Sequence, residues 1–189
     1  MIGILTTIVG PMFSGKTTEL LRIMDREVIA KRYSILFKPK IDNRYSEESV
    51  INHNGFGKEA IIAEDANHIF EIFSNLNESN KVINVFIDEI QFFDSNILKI
   101  ITDLKQLGVN VYVSGLNQTY KGDPFPFKDN DNHMGYLMAI SDYVISIDAV
   151  CNVCGNKATK TYRLGSDTET VVVGGQDKYQ ARCVVCWNK

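Results

Sequence analysis

The 189 residues are 44% apolar and 23% charged, enough for one full hydrophobic core with a small appendage and ordinary for a water-soluble chain. A formal charge of -3 supplies no basic field, which argues against a long polyanion such as DNA and leaves a small phosphorylated ligand open. The apolar stretch Ile2–Val9 is too short to span a bilayer and lacks the basic region and cleavage site of a signal peptide, so a cytoplasmic protein that touches no membrane is expected.

In chain order, Ile4–Val9 reads as a buried strand that runs into "GPMFSGKTTEL", where Gly10, Gly15, Lys16 and Thr17 fit the template GxxxxGK[ST]. Glycines at these positions let backbone N–H groups turn inward around a phosphate chain, and the helix that follows aims its positive end at the same anion. Lys16 would reach the β- and γ-phosphates and the Thr17 hydroxyl would ligate Mg²⁺. Leu20, Ile23, Met24 and Val28 share one face of a helix that ends near Arg32. Ser34–Pro39 reads as a second buried strand, and Lys40–Lys58, polar and glycine-containing, as a mobile loop or hairpin.

Ile69, Ile72, Phe73 and Leu76 recover helical spacing before a third strand, Val82–Asp88. That strand stops at two carboxylates. Asp88 lies where open α/β sheets bind ligands and is placed to hold Mg²⁺ through water. Glu89 points elsewhere, either as the base for an attacking hydroxyl or water or as a solvated loop acid or helix cap. Phe92 and Phe93, taken alone, read as core sooner than as ligand contacts. Ile97, Ile100, Ile101, Leu104 and Leu107 make the next helix, which Gly108 ends; Val109–Gly115 is the fourth strand. A short helix at His133–Ile140 and a strand at Tyr143–Asp148 complete an α/β domain, its parallel sheet covered by helices on both faces. His53, His68 and His133 match no metal pattern and read as surface or loop residues.

From Cys151 onward the composition changes. Cys151 and Cys154 are separated by 28 residues from Cys183 and Cys186. Two CxxC knuckles can close a tetrahedral site on Zn²⁺, with the intervening residues Gly155–Arg182 as a loop held at its base; free thiols or a redox pair are the alternatives. Disulfides are not expected in the cytosol.

The motifs "GPMFSGKTTEL", "DEIQFF", "GLNQTYKGDPFP" and "CNVC…VVVGGQDKY…CVVC", in this order, resemble those of type II thymidine kinases, the zinc-containing cytosolic family, from about Ile4 to Trp187. The resemblance implies a P-loop domain at 1–149 and a small zinc-binding lasso domain at 150–189. It implies transfer of the γ-phosphoryl of ATP to the 5′-hydroxyl of thymidine or deoxyuridine, with Mg²⁺ and structural Zn²⁺, a homotetramer, feedback inhibition by thymidine triphosphate, and no nucleic acid or membrane partner. Carried over by position, Glu89 is the base, Lys16 and Arg44 act on the phosphates, and Thr17 and Asp88 hold Mg²⁺. Gly10, Pro11, Met12, Phe13, Ser14, Gly15, Lys16, Thr17 and Thr18, with Asp88, Glu89 and Gln91, form the ATP site. The nucleoside pocket takes Met12, Asp42, Phe92, Leu116, Phe125, Thr161, Val172, Gly174 and Tyr179.

Asn117 stands where an acid is usual in that family and Lys121 where an arginine is common; Asn loses a charge and Lys loses the bidentate fork of Arg. The rival readings are a P-loop ATPase whose zinc ribbon binds nucleic acid, a non-catalytic nucleotide-binding regulator, and a deoxycytidine or broad deoxynucleoside kinase.

Overall fold

The computed structural model describes residues 2–40, 49–51, 57–79, 81–165 and 174–189, with positions 49–51, 57 and 79 described by backbone alone. Strand β1 (Leu5–Val9) is buried along its length. It leads through the glycine-containing turn into helix α1 (Lys16–Ile29) and then strand β2 (Ser34–Pro39). β3 (Ser49–Ile51) and β4 (Gly57–Glu59) pair antiparallel as a hairpin. β5 (Ile61–Ala63), α2 (Ala66–Ser79) and β6 (Asn84–Ile87) follow, then a 3₁₀ turn at Ile90–Phe92. α3 (Ile97–Gln106), β7 (Asn110–Gly115), α4 (Met134–Ile140) and β8 (Tyr143–Ser146) complete the main layer.

The sheet runs β5-β2-β6-β7-β1-β8, and every neighbouring pair in it is parallel. Both faces are apolar because successive side chains alternate between them. Leu5, Val9, Ile35, Phe37, Val85, Ile87, Val111 and Val113 pack with Ile69 and Phe73 of α2 and with Ile97, Ile101 and Leu104 of α3. On the opposite face, Ile8, Leu36 and Phe86 meet Leu20, Leu21 and Met24 of α1. The expected α/β fold with helices on both faces is therefore present.

Several boundaries differ from the sequence reading. α1 ends at Ile29 instead of near Arg32, and Val28, expected on its buried face, is 47% exposed, while Leu21 takes a place in the core. β6 stops at Ile87, so Asp88 leaves the sheet, although its N–H still donates to the Phe37 carbonyl. β8 stops at Ser146, short of Asp148. β5 was not expected. Its three residues are too short to show alternation, and it forms because the edge of β2 offers it a parallel ladder from Phe37↔Ile61 to Pro39↔Ala63.

The cysteine-containing segment adds β9 (Ala149–Val150), β10 (Lys157–Ala158), β11 (Lys160–Arg163), β12 (Tyr179–Arg182) and α5 (Val184–Trp187). β9 pairs with β10 and β11 with β12, both antiparallel. Ala149, Cys151, Ala158, Ala181, Cys183 and Cys186 form a small core of their own, against which Phe13 of the turn between β1 and α1 packs. Among the described residues no helix is long and apolar enough to cross a membrane.

Candidate active site

The turn between β1 and α1 has Gly15 at φ 85°, ψ 22°, a left-handed conformation that glycine adopts without strain. That kink starts α1 with no side-chain cap, so the partial positive charge at the helix start faces the loop. Lys16 is buried, and its Nζ donates to the Pro11 carbonyl at 2.8 Å, as the Ser14 hydroxyl does at 2.9 Å. Ammonium, helix start and loop therefore converge on one space, the arrangement an anionic phosphate chain requires. Thr18 lies exposed on α1.

Two adjacent carboxylates at the end of β6 face different partners. The Thr17 hydroxyl donates to Asp88 Oδ2 at 3.0 Å, and the Ser114 hydroxyl donates to Asp88 Oδ1. Glu89 has φ 50°, ψ 43°, left-handed for a non-glycine residue. That backbone turns it away from Asp88 into the 3₁₀ turn, where Oε2 accepts from Gln91 Nε2 at 2.5 Å. Gln91, expected on the ATP side, is 1% exposed, and its Oε1 accepts from the Leu116 N–H at 3.1 Å.

Phe92, Leu116 and Phe125 come together beside this pair. Phe125 is buried, Phe92 meets it edge-on with ring centroids 6.2 Å apart, and Phe92 and Leu116 pack on the main core. Phe93 is the core phenylalanine of the two, at 1% exposure. A cavity of about 220 Å³ lies along Phe92, walled also by Pro39, Lys40, Glu64 and Lys128. The Met12 N–H donates to Thr161 Oγ1 at 3.0 Å, joining the turn between β1 and α1 to β11. Tyr179 is buried opposite Arg163, whose Nη2 donates to its hydroxyl at 2.6 Å. Gly174 lies against the Lys178 side chain. Asp42, Arg44 and Val172 fall outside the described residues, as does His53. His68 is half-buried and His133 exposed; His133 caps α4.

The sulfurs of Cys151, Cys154, Cys183 and Cys186 all lie within 4.8 Å of one another, with Cys154 and Cys183 at 3.7 Å. A tetrahedron with Zn–S bonds of about 2.3 Å has edges of about 3.8 Å, so the donor set fits a four-thiolate zinc ion. Desolvation acts to raise the Cys151 thiol, but backbone hydrogen bonds from Cys183, Val153 and Cys154 outweigh it and lower it to about 6. Cys186 is pushed up to about 12, first by its hydrogen bond with Cys183 and then by desolvation. A cation held between four such sulfurs would favour the ionised form of each.

Three residues escaped the sequence reading. Ser114 stands opposite Asp88 only once the β6–β7 register, Ile87↔Val113, is known. Lys38 is 3% exposed beside Asp88 in the β2–β6 register; its signal was a lysine within an apolar strand. Arg163 lays its guanidinium 3.8 Å from the Tyr120 ring centroid, tying β11 to the loop after β7. Nothing in the spacing of a single arginine announces that contact.

A protein-family model described as thymidine kinase matches residues 3–187. A thymidine kinase of Thermococcus kodakarensis is 42% identical over 191 residues, spanning 96% of this chain and 92% of that protein.

Proposed function

Because the chain belongs to the thymidine kinase family and is a phosphoryl-transferring enzyme, we propose that it moves the γ-phosphoryl of ATP to the 5′-hydroxyl of thymidine and of deoxyuridine. The observation that carries this reading is the division of labour at Asp88 and Glu89. One carboxylate is turned onto the threonine at the start of α1, and the next is turned away onto the Gln91 amide, whose other end holds the Leu116 N–H.

Glu89 takes the proton of the 5′-hydroxyl as its oxygen bonds to the γ-phosphorus and the bond to the bridging oxygen of the leaving ADP breaks. Lys16 answers the charge on the transferring group. Thr17 and Asp88, a hydroxyl and a carboxylate 3.0 Å apart, are an all-oxygen pair suited to Mg²⁺. When bound, that ion neutralises β- and γ-phosphate oxygens. Phe92, Leu116 and Phe125 offer apolar and aromatic surface to the base, with Met12 and Thr161 toward its methyl and Tyr179 farther along β12. Asp42, Arg44, Val172 and Gly174 keep the roles the resemblance gives them. Four thiolates leave no open position on zinc, so its part is structural.

The same reading includes domains at 1–149 and 150–189, a cytoplasmic location, inhibition by thymidine triphosphate and a homotetramer. In support of assembly, Tyr143 and Val144 on the edge strand β8 are 62% and 43% exposed.

The test is ATP consumption with thymidine, deoxyuridine and deoxycytidine, and with single-stranded DNA alone. Deoxyuridine lacks only a methyl, which is worth about 1–3 kcal/mol, so it is expected to be turned over with reduced kcat/KM. In cytosine the ring N3 is an acceptor and the 4-position a donor, the reverse of thymine. A buried site built to hydrogen-bond thymine should reject it by about 10⁴–10⁵. ATP hydrolysis stimulated by DNA without transfer to any nucleoside would overturn the proposal.

A further inference from the structure

We propose that Gln91 is the positioning residue of Glu89, an inference that rests on Glu89 being the base. Both ends of its amide are committed. The Leu116 backbone N–H can only donate, so the atom 3.1 Å from it must be Oε1, and this fixes Nε2 on the other side, 2.5 Å from Glu89 Oε2. The amide therefore has one orientation, and in it Gln91 donates to the carboxylate.

The surroundings hold that orientation. Gln91 is 1% exposed within the 3₁₀ turn that Glu89 starts. A Cβ on residue 115 would lie 2.4 Å from Gln91 Oε1, so the glycine at the end of β7 makes room for the amide. Swinging Glu89 aside would leave a buried amide N–H facing the gap, which is costly. The base is thus tied through Gln91 to the backbone after β7, the same stretch that carries Leu116 beside Phe92 and Phe125. Movement of the nucleoside wall and of the carboxylate is coupled. Since a misplacement of about 1 Å can cost 10²-fold in rate, the amide acts on catalysis without touching the reacting atoms.

Two variants test this. Gln91→Leu removes both hydrogen bonds. Gln91→Glu keeps the shape and the acceptor for Leu116 but sets one carboxylate against another. Each is expected to lower kcat by roughly 10- to 100-fold, with dissociation constants for thymidine and for ATP changed by less than about twofold. Placed on a Glu89→Gln background, either substitution should cost less than about twofold more, because residues that act as a unit are not additive. Full kcat in either folded variant overturns the inference, as does a loss fully additive with Glu89→Gln or an equal effect on binding and kcat. If Gln91→Leu does not fold, Gln91→Glu decides alone. Near-normal turnover in Glu89→Gln sinks instead the assignment of the base, which separates the two failures.

Discussion

Asp88 follows the last residue of β6 and keeps the strand's direction, so its carboxylate reaches the hydroxyls of Thr17 and Ser114 on two neighbouring elements. Glu89, one residue on, is carried elsewhere by a left-handed backbone that a non-glycine residue holds at some cost. Ser114 is fully buried and supports Asp88 from behind. Partners of that kind usually contribute 10- to 100-fold to metal affinity. Ser114→Ala should therefore raise the Mg²⁺ concentration for half-maximal rate by about tenfold or more, and a titration that superimposes on the parent's would remove Asp88 from the Mg²⁺ site. The proposed role of Lys16 differs in kind, because there its charge would be needed most as the phosphoryl transfers. Lys16→Ala is expected to lower kcat by about 10²–10³ while ATP affinity falls less, and Lys16→Arg to lose less than Lys16→Ala. Comparing single-turnover rates with equilibrium ATP binding checks this; unchanged kinetics in Lys16→Ala would dissolve the phosphate-loop assignment.

Between elements, the contact with most reach is the one from the Met12 N–H to Thr161 Oγ1, which latches the phosphate loop to β11. Thr161→Val keeps the shape, removes the acceptor and leaves an N–H short of a partner, at a cost of about 1–3 kcal/mol. For a chain of this size that is a fall in Tm of roughly 2–12 °C. It should come with weaker ATP binding, and a Tm equal to the parent's would show that the latch carries nothing. Contacts like this one mark where the sequence stops being informative. The buried strands were readable because a parallel sheet covered on both faces needs continuous apolar runs, and "VINVFID" and "SILFKP" have them. The turn between β1 and α1 and the gathering of the four cysteines were readable because their signals are local in sequence. Val28 misled, since periodicity cannot say how far the sheet extends under a helix. The resemblance named Gln91, Leu116, Met12 and Thr161 as site residues, but the bonds that join them were not readable: Ser114 and Asp88 are 26 residues apart, Leu116 and Gln91 are 25 apart, and Thr161 and Met12 are 149 apart. Strand register and the docking of the cysteine segment bring them together, and neither is written in any one stretch.

At the scale of the molecule, the small core around the four cysteines and the phosphate loop share a boundary, with Phe13 packed on the first and Met12 bonded to β11. Trp187, in the helix that carries Cys186, donates from its indole N–H to the Thr161 carbonyl at 3.2 Å, so the cysteine-bearing end of the chain braces the latch from the other side. If zinc holds this core in shape, removing it loosens the surface on which the loop rests, and the loop must then be ordered by the nucleotide itself. Thermodynamic linkage makes that effect reciprocal. If loss of zinc weakens ATP binding by some factor, bound nucleotide must tighten zinc by the same factor, and couplings of this kind typically run about 5- to 150-fold. Two independent titrations test it: affinity for a non-hydrolysable ATP analogue with and without zinc, and zinc release to a competing chelator with and without saturating analogue. The expected result is two factors that agree within error and exceed about fivefold. Zinc release that ignores the analogue, with analogue affinity that ignores zinc, would mean that the cysteine core and the phosphate loop only touch and that the metal serves its own segment alone.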